Sequence, residues 1–130
     1  MAEVKVRTLE NFKKAVTSLG KALKLQQLPE MANRDAVLLR FELAAELMPK
    51  VIKRVLAERG AAPSLPKDIV RTALSGEIIN ERLASVLLEI IDDRNRMVHD
   101  YSEDYSEKLF TRIEERYAPA FRELLNNLTA

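Results

Sequence analysis

The stretch Asn80-Glu81-Arg82-Leu83-Ala84-Ser85-Val86-Leu87-Leu88-Glu89-Ile90-Ile91-Asp92-Asp93-Arg94-Asn95-Arg96-Met97-Val98-His99-Asp100-Tyr101 decides the fold. At about 100° per helical residue, Leu83, Leu87, Ile90, Val98 and Tyr101 fall within roughly 40° of one direction, so the spacing predicts an amphipathic helix with its apolar stripe against a core. Asn80 stands ahead of it as an N-cap. Arg94 lies in the middle of the same stripe. A lone buried charge is costly, so a guanidinium pointing where leucines point needs a carboxylate, a second subunit's polar groups or a bound anion. The last turns also hold the only histidine of the chain. His99 lies about 140° around an ideal helix from Arg94, whereas Asn95 and His99, four residues apart, share a face. For Arg94 and His99 to act together, either the helix is distorted near its end or the site is assembled between two copies. The plainer reading makes His99 a helix-end residue and Arg94 a side chain that snorkels to solvent.

Outward from this helix, the chain keeps the helical period. Thr8 can cap a first helix running to about Gln27, with Phe12, Val16, Leu19 and Leu23 spaced by three and four, and Leu28-Pro29-Glu30 breaks it. Asn33 or Asp35 starts a second helix to about Arg59, closed by Gly60. Its apolar positions from Val37 to Leu56 run nearly all the way round, which predicts burial on several sides. Ala61 to Leu65 reads as a loop, and Pro66 suits the first turn of a short third helix ending near Gly76. After the motif helix, Ser102 caps a fifth whose Leu109, Ile113, Tyr117, Phe121, Leu124 and Leu128 keep one face through Pro119. No repeat, low-complexity tract or linker interrupts the chain. Residues 1–130 therefore read as a single all-α domain, an antiparallel up-and-down bundle of about five helices resembling a four-helix bundle. The stripe of the motif helix and the all-round second helix exceed what one small bundle buries, so the bundle is expected to be dimeric.

Composition narrows the functional classes. With 130 residues and 47% apolar content, one domain with a real core can form. The absence of cysteine excludes disulfides and thiolate metal sites, and a single histidine leaves no metal-ligand spacing, so neither metal nor cofactor is expected. Met1 to Val6 carries Glu3 and Lys5, and the longest apolar run, Val86 to Ile91, is interrupted by Glu89. Neither a signal peptide nor a membrane span is expected, and the protein is placed in the cytoplasm. The net charge of +1 argues against a generic nucleic-acid binder. Locally, residues 1–24 are basic, through Lys5, Arg7, Lys13, Lys14, Lys21 and Lys24. Residues 89–107 are acidic, through Glu89, Asp92, Asp93, Asp100, Glu103, Asp104 and Glu107. Such charges ordinarily form a solvated surface; the sharper reading is that the acid receives a basic partner or holds Arg94 and His99 in place. Glu42 and Glu46, like charges four apart, repel on a helix. Either Glu46 pairs with Lys50 and Glu42 faces water, or one of them neutralises Arg94 from the neighbouring helix.

The run Arg94-Asn95, then His99, then Tyr101 resembles the signature of the HEPN superfamily, in the branch encoded beside minimal nucleotidyltransferases and named nucleotidyltransferase substrate-binding proteins. Arg34-Asp35, Arg40-Phe41-Glu42-Leu43, Glu46-Leu47, Pro66-Lys67-Asp68 and Asp93 agree with it in order, so the resemblance covers nearly the whole length. One departure is Pro49, just before Lys50, where the branch carries an aromatic residue. A proline there removes a helix hydrogen bond and is expected to kink the second helix.

Cleaving RNA without metal requires a base for the ribose 2′-hydroxyl and a cation for the crowded phosphorane oxygens. His99 suits the first role, Arg94 the second through its fork of donors, and Asn95 can orient either. The resemblance points the same way: it implies a toxin acting as a metal-independent endoribonuclease, with a homodimer cleft that pairs the Arg and His of both subunits. It further implies that the cognate minimal nucleotidyltransferase adenylylates Tyr101 and silences the nuclease. The competing class is a non-catalytic subunit that docks the nucleotidyltransferase and presents its substrate or nucleotide, with Arg94 a structural or phosphate-binding charge and His99 an interface residue.

Overall fold

Helix α2 (Met31–Glu58) is the axis on which the rest of the bundle packs: it touches α1 (Ala2–Lys24), α3 (Pro66–Ser75), α4 (Glu81–Met97), α5 (Glu103–Arg112) and α6 (Ala118–Thr129). That position buries most of its nearly all-round apolar pattern, whereas Leu39 and Leu43 stay exposed. The computed structural model describes residues 2–25 and 31–129. All regular elements there are helical, and among the described residues no helix is long and apolar enough to cross a membrane.

Local chemistry explains the boundaries. The first helix begins ahead of Thr8, which lies inside it instead of capping it, because the residues before it are mostly good helix formers. The expected end at Gln27 and the break at Leu28-Pro29-Glu30 lie outside the described residues. The C-terminus of α2 is closed by Gly60 at φ 81°, whose N–H donates to the Ala57 carbonyl while that of Ala61 donates to Leu56, both at 3.1 Å. This paired closure needs a left-handed residue, and glycine adopts it without a Cβ clash. The same closure ends α3, but there Glu77, not Gly76, takes the positive φ of 61°. Asn80 caps α4, its Oδ1 accepting the Leu83 N–H at 2.8 Å, and Ser102 caps α5 by accepting from Tyr105. Through Pro49 α2 runs unbroken.

The last helix is not a regular α-helix. Between α5 and α6, Ile113–Tyr117 forms a π-turn in which the Ala118 N–H reaches back to the Ile113 carbonyl. Its cause is legible in the spacing. Leu109, Ile113, Tyr117 and Phe121 are four residues apart, and each such step overshoots a full turn by about 40°, so Leu109 and Phe121 would diverge by about 120° on an ideal helix. One wider turn brings all four back to one side, and all four are buried. Pro119 follows immediately, where its missing N–H costs least.

The core is built from these faces. Phe41 stacks on Tyr117 with ring centroids 5.5 Å apart, and Phe121 packs against both Phe41 and the edge of Phe12. The fourth helix and the C-terminal rod run antiparallel, as their cross-links record: Asp93 meets Tyr105 and Arg112, Glu89 meets Arg116, and Arg82 meets Glu123 at 2.7 Å.

Candidate functional site

The motif sits where α4 ends. Leu83, Leu87, Ile90 and Ile91 are buried as the stripe requires, but the helix stops at Met97 and the stripe stops with it. The N–H groups of His99 and Asp100 both fold back onto the Arg96 carbonyl, at 2.9 and 3.0 Å. In consequence Val98 is 47% exposed and Tyr101 83% exposed, although both fall on the apolar face of an ideal helix. The Tyr101 hydroxyl donates to the Val98 carbonyl at 3.1 Å, and His99 is exposed. So the helix end lies between Arg94 and His99.

Arg94 is half-buried, and its Nε is enclosed with no hydrogen-bond partner. It borders a cavity of about 370 Å³ between α2, the 61–65 loop and α4, which Asn95, Glu46, Lys50 and Lys53 also line. His99 and Tyr101 do not line that cavity. The expected carboxylate partner is not there: Glu46 pairs with Lys50 at 3.6 Å, the plainer of the two readings, and neither it nor Glu42 bonds Arg94 in this chain. The reason is geometric, since Glu46 lies one turn from Lys50 on an exposed face and meets it first. Among the described residues Arg94 makes no ion pair.

The acids flanking the motif, Glu107 excepted, are occupied within the chain. Asp92 holds Lys67 at 2.7 Å, Asp100 holds Arg96 at 3.0 Å, Asp104 holds Lys108 at 3.0 Å, and Glu89 holds Arg116. Glu103 takes both arms of Arg34, tying the start of α2 to the start of α5. They brace the helix ends, and Asp100, whose carboxylate also accepts the Ser102 N–H at 3.0 Å, fixes the turn between His99 and α5. Those bonds, from Ser102 first and then Arg96, hold the Asp100 carboxyl below its ordinary range.

Asp93 is a polar hub that the motif's spacing does not single out. Its carboxylate, 13% exposed, accepts from the Tyr105 hydroxyl at 2.9 Å, from the Tyr117 hydroxyl, and from Nε and an Nη of Arg112, both at 2.9 Å. Burial pushes this carboxyl up, but the bonds from Arg112, Tyr117 and Tyr105 outweigh it and leave the pKa below the ordinary value of 3.8. Both tyrosines are shifted upward, by burial first and then by bonding to a carboxylate. Arg96 covers the Tyr105 ring, 4.3 Å from its centroid. The sequence does carry a signal for the hub: two tyrosines in the buried stripe of the last helix have hydroxyls that need partners.

The arrangement is a helical bundle whose fourth helix carries an arginine at the rim of a cavity and is followed by an exposed histidine and tyrosine. The chain belongs to the family of nucleotidyltransferase substrate binding protein-like proteins, which matches residues 7–130. That is also the name of the branch that the motif resembles. Among solved structures, a Thermus thermophilus protein superposes with a TM-score of 0.83 at 29% identity, covering 92% of this chain and 99% of its own. A chain of the complex between a tri-AMPylated Shewanella oneidensis HEPN toxin and MNT antitoxin gives 0.81 at 14% identity, over 99% and 98%. A chain of a toxin–antitoxin structure with AMP-PNP gives 0.81 at 14%, over 100% and 99%. At that identity the likeness speaks to the fold. No curated protein matches the chain.

Proposed function

We propose that this protein is the toxin-type partner of a minimal nucleotidyltransferase, a cytoplasmic, dimeric endoribonuclease that cleaves RNA without metal. The observation that carries the reading is Arg94: a half-buried guanidinium with an enclosed, unpartnered Nε at the rim of a cavity, on the helix that stops two residues before His99. Unlike Arg34, whose Nε is equally enclosed but whose arms are held by Glu103, Arg94 has no carboxylate partner among the described residues, and an anion meeting its arms would complete it. His99 removes the proton from a ribose 2′-hydroxyl, whose oxygen attacks the adjacent phosphorus. Arg94 bears the charge developing on the phosphorane oxygens, the 5′-oxygen takes a proton from water as its bond to phosphorus breaks, and a 2′,3′-cyclic phosphate remains. Asn95, which lines the cavity beside Arg94, orients the phosphate.

Within one chain His99 stands outside the Arg94 cavity, so Arg94 of one copy works with His99 of another. Leu39, 70% exposed on α2, together with Leu43, Val98 and Tyr101 supplies apolar surface for that pairing. Tyr101 is the residue that the nucleotidyltransferase adenylylates. Its exposure supports this, and a phosphodiester added there opposes entry of an RNA phosphate.

The separation of His99 from the cavity also favours a second reading, a non-catalytic subunit in which Arg94 binds a nucleotide for the transferase. Purified protein incubated with RNA in excess chelator distinguishes them. Cleavage lost in both Arg94→Ala and His99→Ala, with helical content intact, is the expected result. Equal cleavage by both variants, or none by protein free of partner and modification, leaves the binding subunit. Incubation with the nucleotidyltransferase and ATP followed by peptide mapping tests Tyr101; label confined to Tyr105 or Tyr117 contradicts it.

A further inference from the structure

We propose that the cavity between α2, the 61–65 loop and α4 is a nucleotide subsite, with Lys53 as a second phosphate ligand opposite Arg94 and an apolar wall for the nucleoside. The proposal rests on the reading of Arg94 as a phosphate-binding group, but it requires no cleavage.

Charge comes first. Of the ionic side chains lining the cavity, Glu46 and Lys50 answer each other, which leaves Lys53 and Arg94 with no anion among the described residues. Two unanswered cations lining one half-open cavity favour a ligand carrying negative charge, and a phosphate ester offers enough oxygens for a guanidinium fork and an ammonium together. Shape is the second argument. Pro49, Pro66, Ile69 and Ile91 give the same cavity a wall of rings and branched chains, and about 370 Å³ falls in the range of small-molecule sites. Pro49 adds a polar feature to that wall. With no N–H of its own, it leaves the Ala45 carbonyl without its helical donor, and Ala45 lines the cavity too. A backbone acceptor freed beside an apolar wall suits a sugar hydroxyl or a base amino group next to a phosphate. The departure from the family pattern at position 49 thus acquires a use.

Among the described residues, none of the other concavities holds an enclosed guanidinium nitrogen without a partner, although Lys53 also borders a neighbouring groove with Lys50 and Arg54. The groove over α1 gathers Lys13, Lys14 and Lys21, but its Arg40 is already bonded to the Ser18 carbonyl at 3.0 Å and no apolar wall faces it. A larger concavity, where α2, α3 and α6 end and α4 begins, is lined by Glu58, Glu77 and Glu81 with Arg59, which is already bonded to the Gly76 carbonyl, so its balance is the wrong sign for phosphate.

The phosphate can belong to a free mononucleotide or to one residue of an RNA chain, and the test separates them. ¹⁵N-labelled His99→Ala protein, which on the reading above binds without cutting, is titrated with AMP, with adenosine, and with the dinucleotide UpA. Amide signals of Lys53 and Ser64 and the Arg94 Nε signal are followed. Saturable shifts at these groups with AMP or UpA, and none with adenosine, are expected. Tighter AMP identifies a free nucleotide and tighter UpA an RNA chain, and either supports the subsite. Lys53→Ala should weaken binding about tenfold, Lys53→Arg should restore it, and Lys14→Ala should change nothing. The proposal is overturned by shifts confined to the α1 groove, by no binding of either phosphate ligand, or by Lys53→Ala binding as well as the parent. Binding here in a protein that never cleaves RNA would leave the subsite standing and remove the nuclease.

Discussion

Replacing Asp93 by asparagine probes the joint that holds the motif helix to the rest of the bundle. The substitution keeps shape and volume and removes the charge. In the native site each carboxylate oxygen serves one tyrosine and one arm of Arg112. An amide must turn its NH₂ toward one of those two pairs. A tyrosine hydroxyl can reverse and accept, whereas a guanidinium has no lone pair to offer, so at least one charge-assisted bond is lost. Such a bond contributes about 1.5–3 kcal/mol, and removing one partner of a buried pair costs about 3–5 kcal/mol. Since Arg112 is partly exposed and water can reach it, the lower figures apply, giving a loss of about 2–3 kcal/mol. For a chain of this length that is a fall in Tm of about 7–11 °C. Thermal and urea unfolding followed by circular dichroism at neutral pH measure it. The pH dependence supplies a second check. Because the folded pKa of Asp93 lies below 3.8, its contribution is fully present above that value and is lost as pH falls through the depressed one. The gap between parent and Asp93→Asn should therefore be constant from neutral pH to about pH 5 and close below pH 4. A variant within about 0.5 kcal/mol of the parent, or a gap that widens in acid, refutes the reasoning.

Deleting the exposed Glu115 should leave a folded protein with a regular last helix, because the buried residues then recur at spacings of four and three; deletion of Glu107 instead turns the face of α5 by about 100° and should unfold it, and unfolding by the first deletion alone would contradict the origin given for the π-turn. Phe41→Ala should cost about 3–5 kcal/mol in urea unfolding, since the ring is fully buried between Tyr117 and Phe121. If Arg94 and His99 act across two copies, mixing inactive Arg94→Ala and His99→Ala proteins should restore about a quarter of the parent activity, as half of the mixed dimers are hybrids with one intact site. No restoration after verified subunit exchange would place both groups within one chain.

Most of the fold is legible in the sequence because helical period, caps and breakers are local. Asn80, Ser102, Pro66 and Gly60 each act on the few peptide groups beside them, and the structure has them at those tasks. What is not legible depends on competition between distant partners or on small angular drifts. The apolar character of Val98 and Tyr101 argues for a longer α4, but the turn there is set by carboxylate chemistry: Asp100 is bonded to Arg96 and to the Ser102 N–H. Glu46 is a candidate partner for Arg94 by proximity of helices, and a lysine one turn away reaches it first. The four-residue spacing of the last helix reads as one face unless its drift of about 40° per step is counted, and only that drift calls for the π-turn.

The central claim is that RNA is cut by its own 2′-hydroxyl with His99 and Arg94 assisting. It is tested most directly with a pair of oligonucleotides identical except for one 2′-deoxy residue at the mapped cleavage position, incubated with partner-free protein in excess chelator. The account predicts that the all-ribose strand is cut to a 2′,3′-cyclic phosphate or 3′-phosphate end and that the substituted strand survives at that position. Cutting of the 2′-deoxy strand at the same bond, or cleavage leaving a 5′-phosphate, would contradict it.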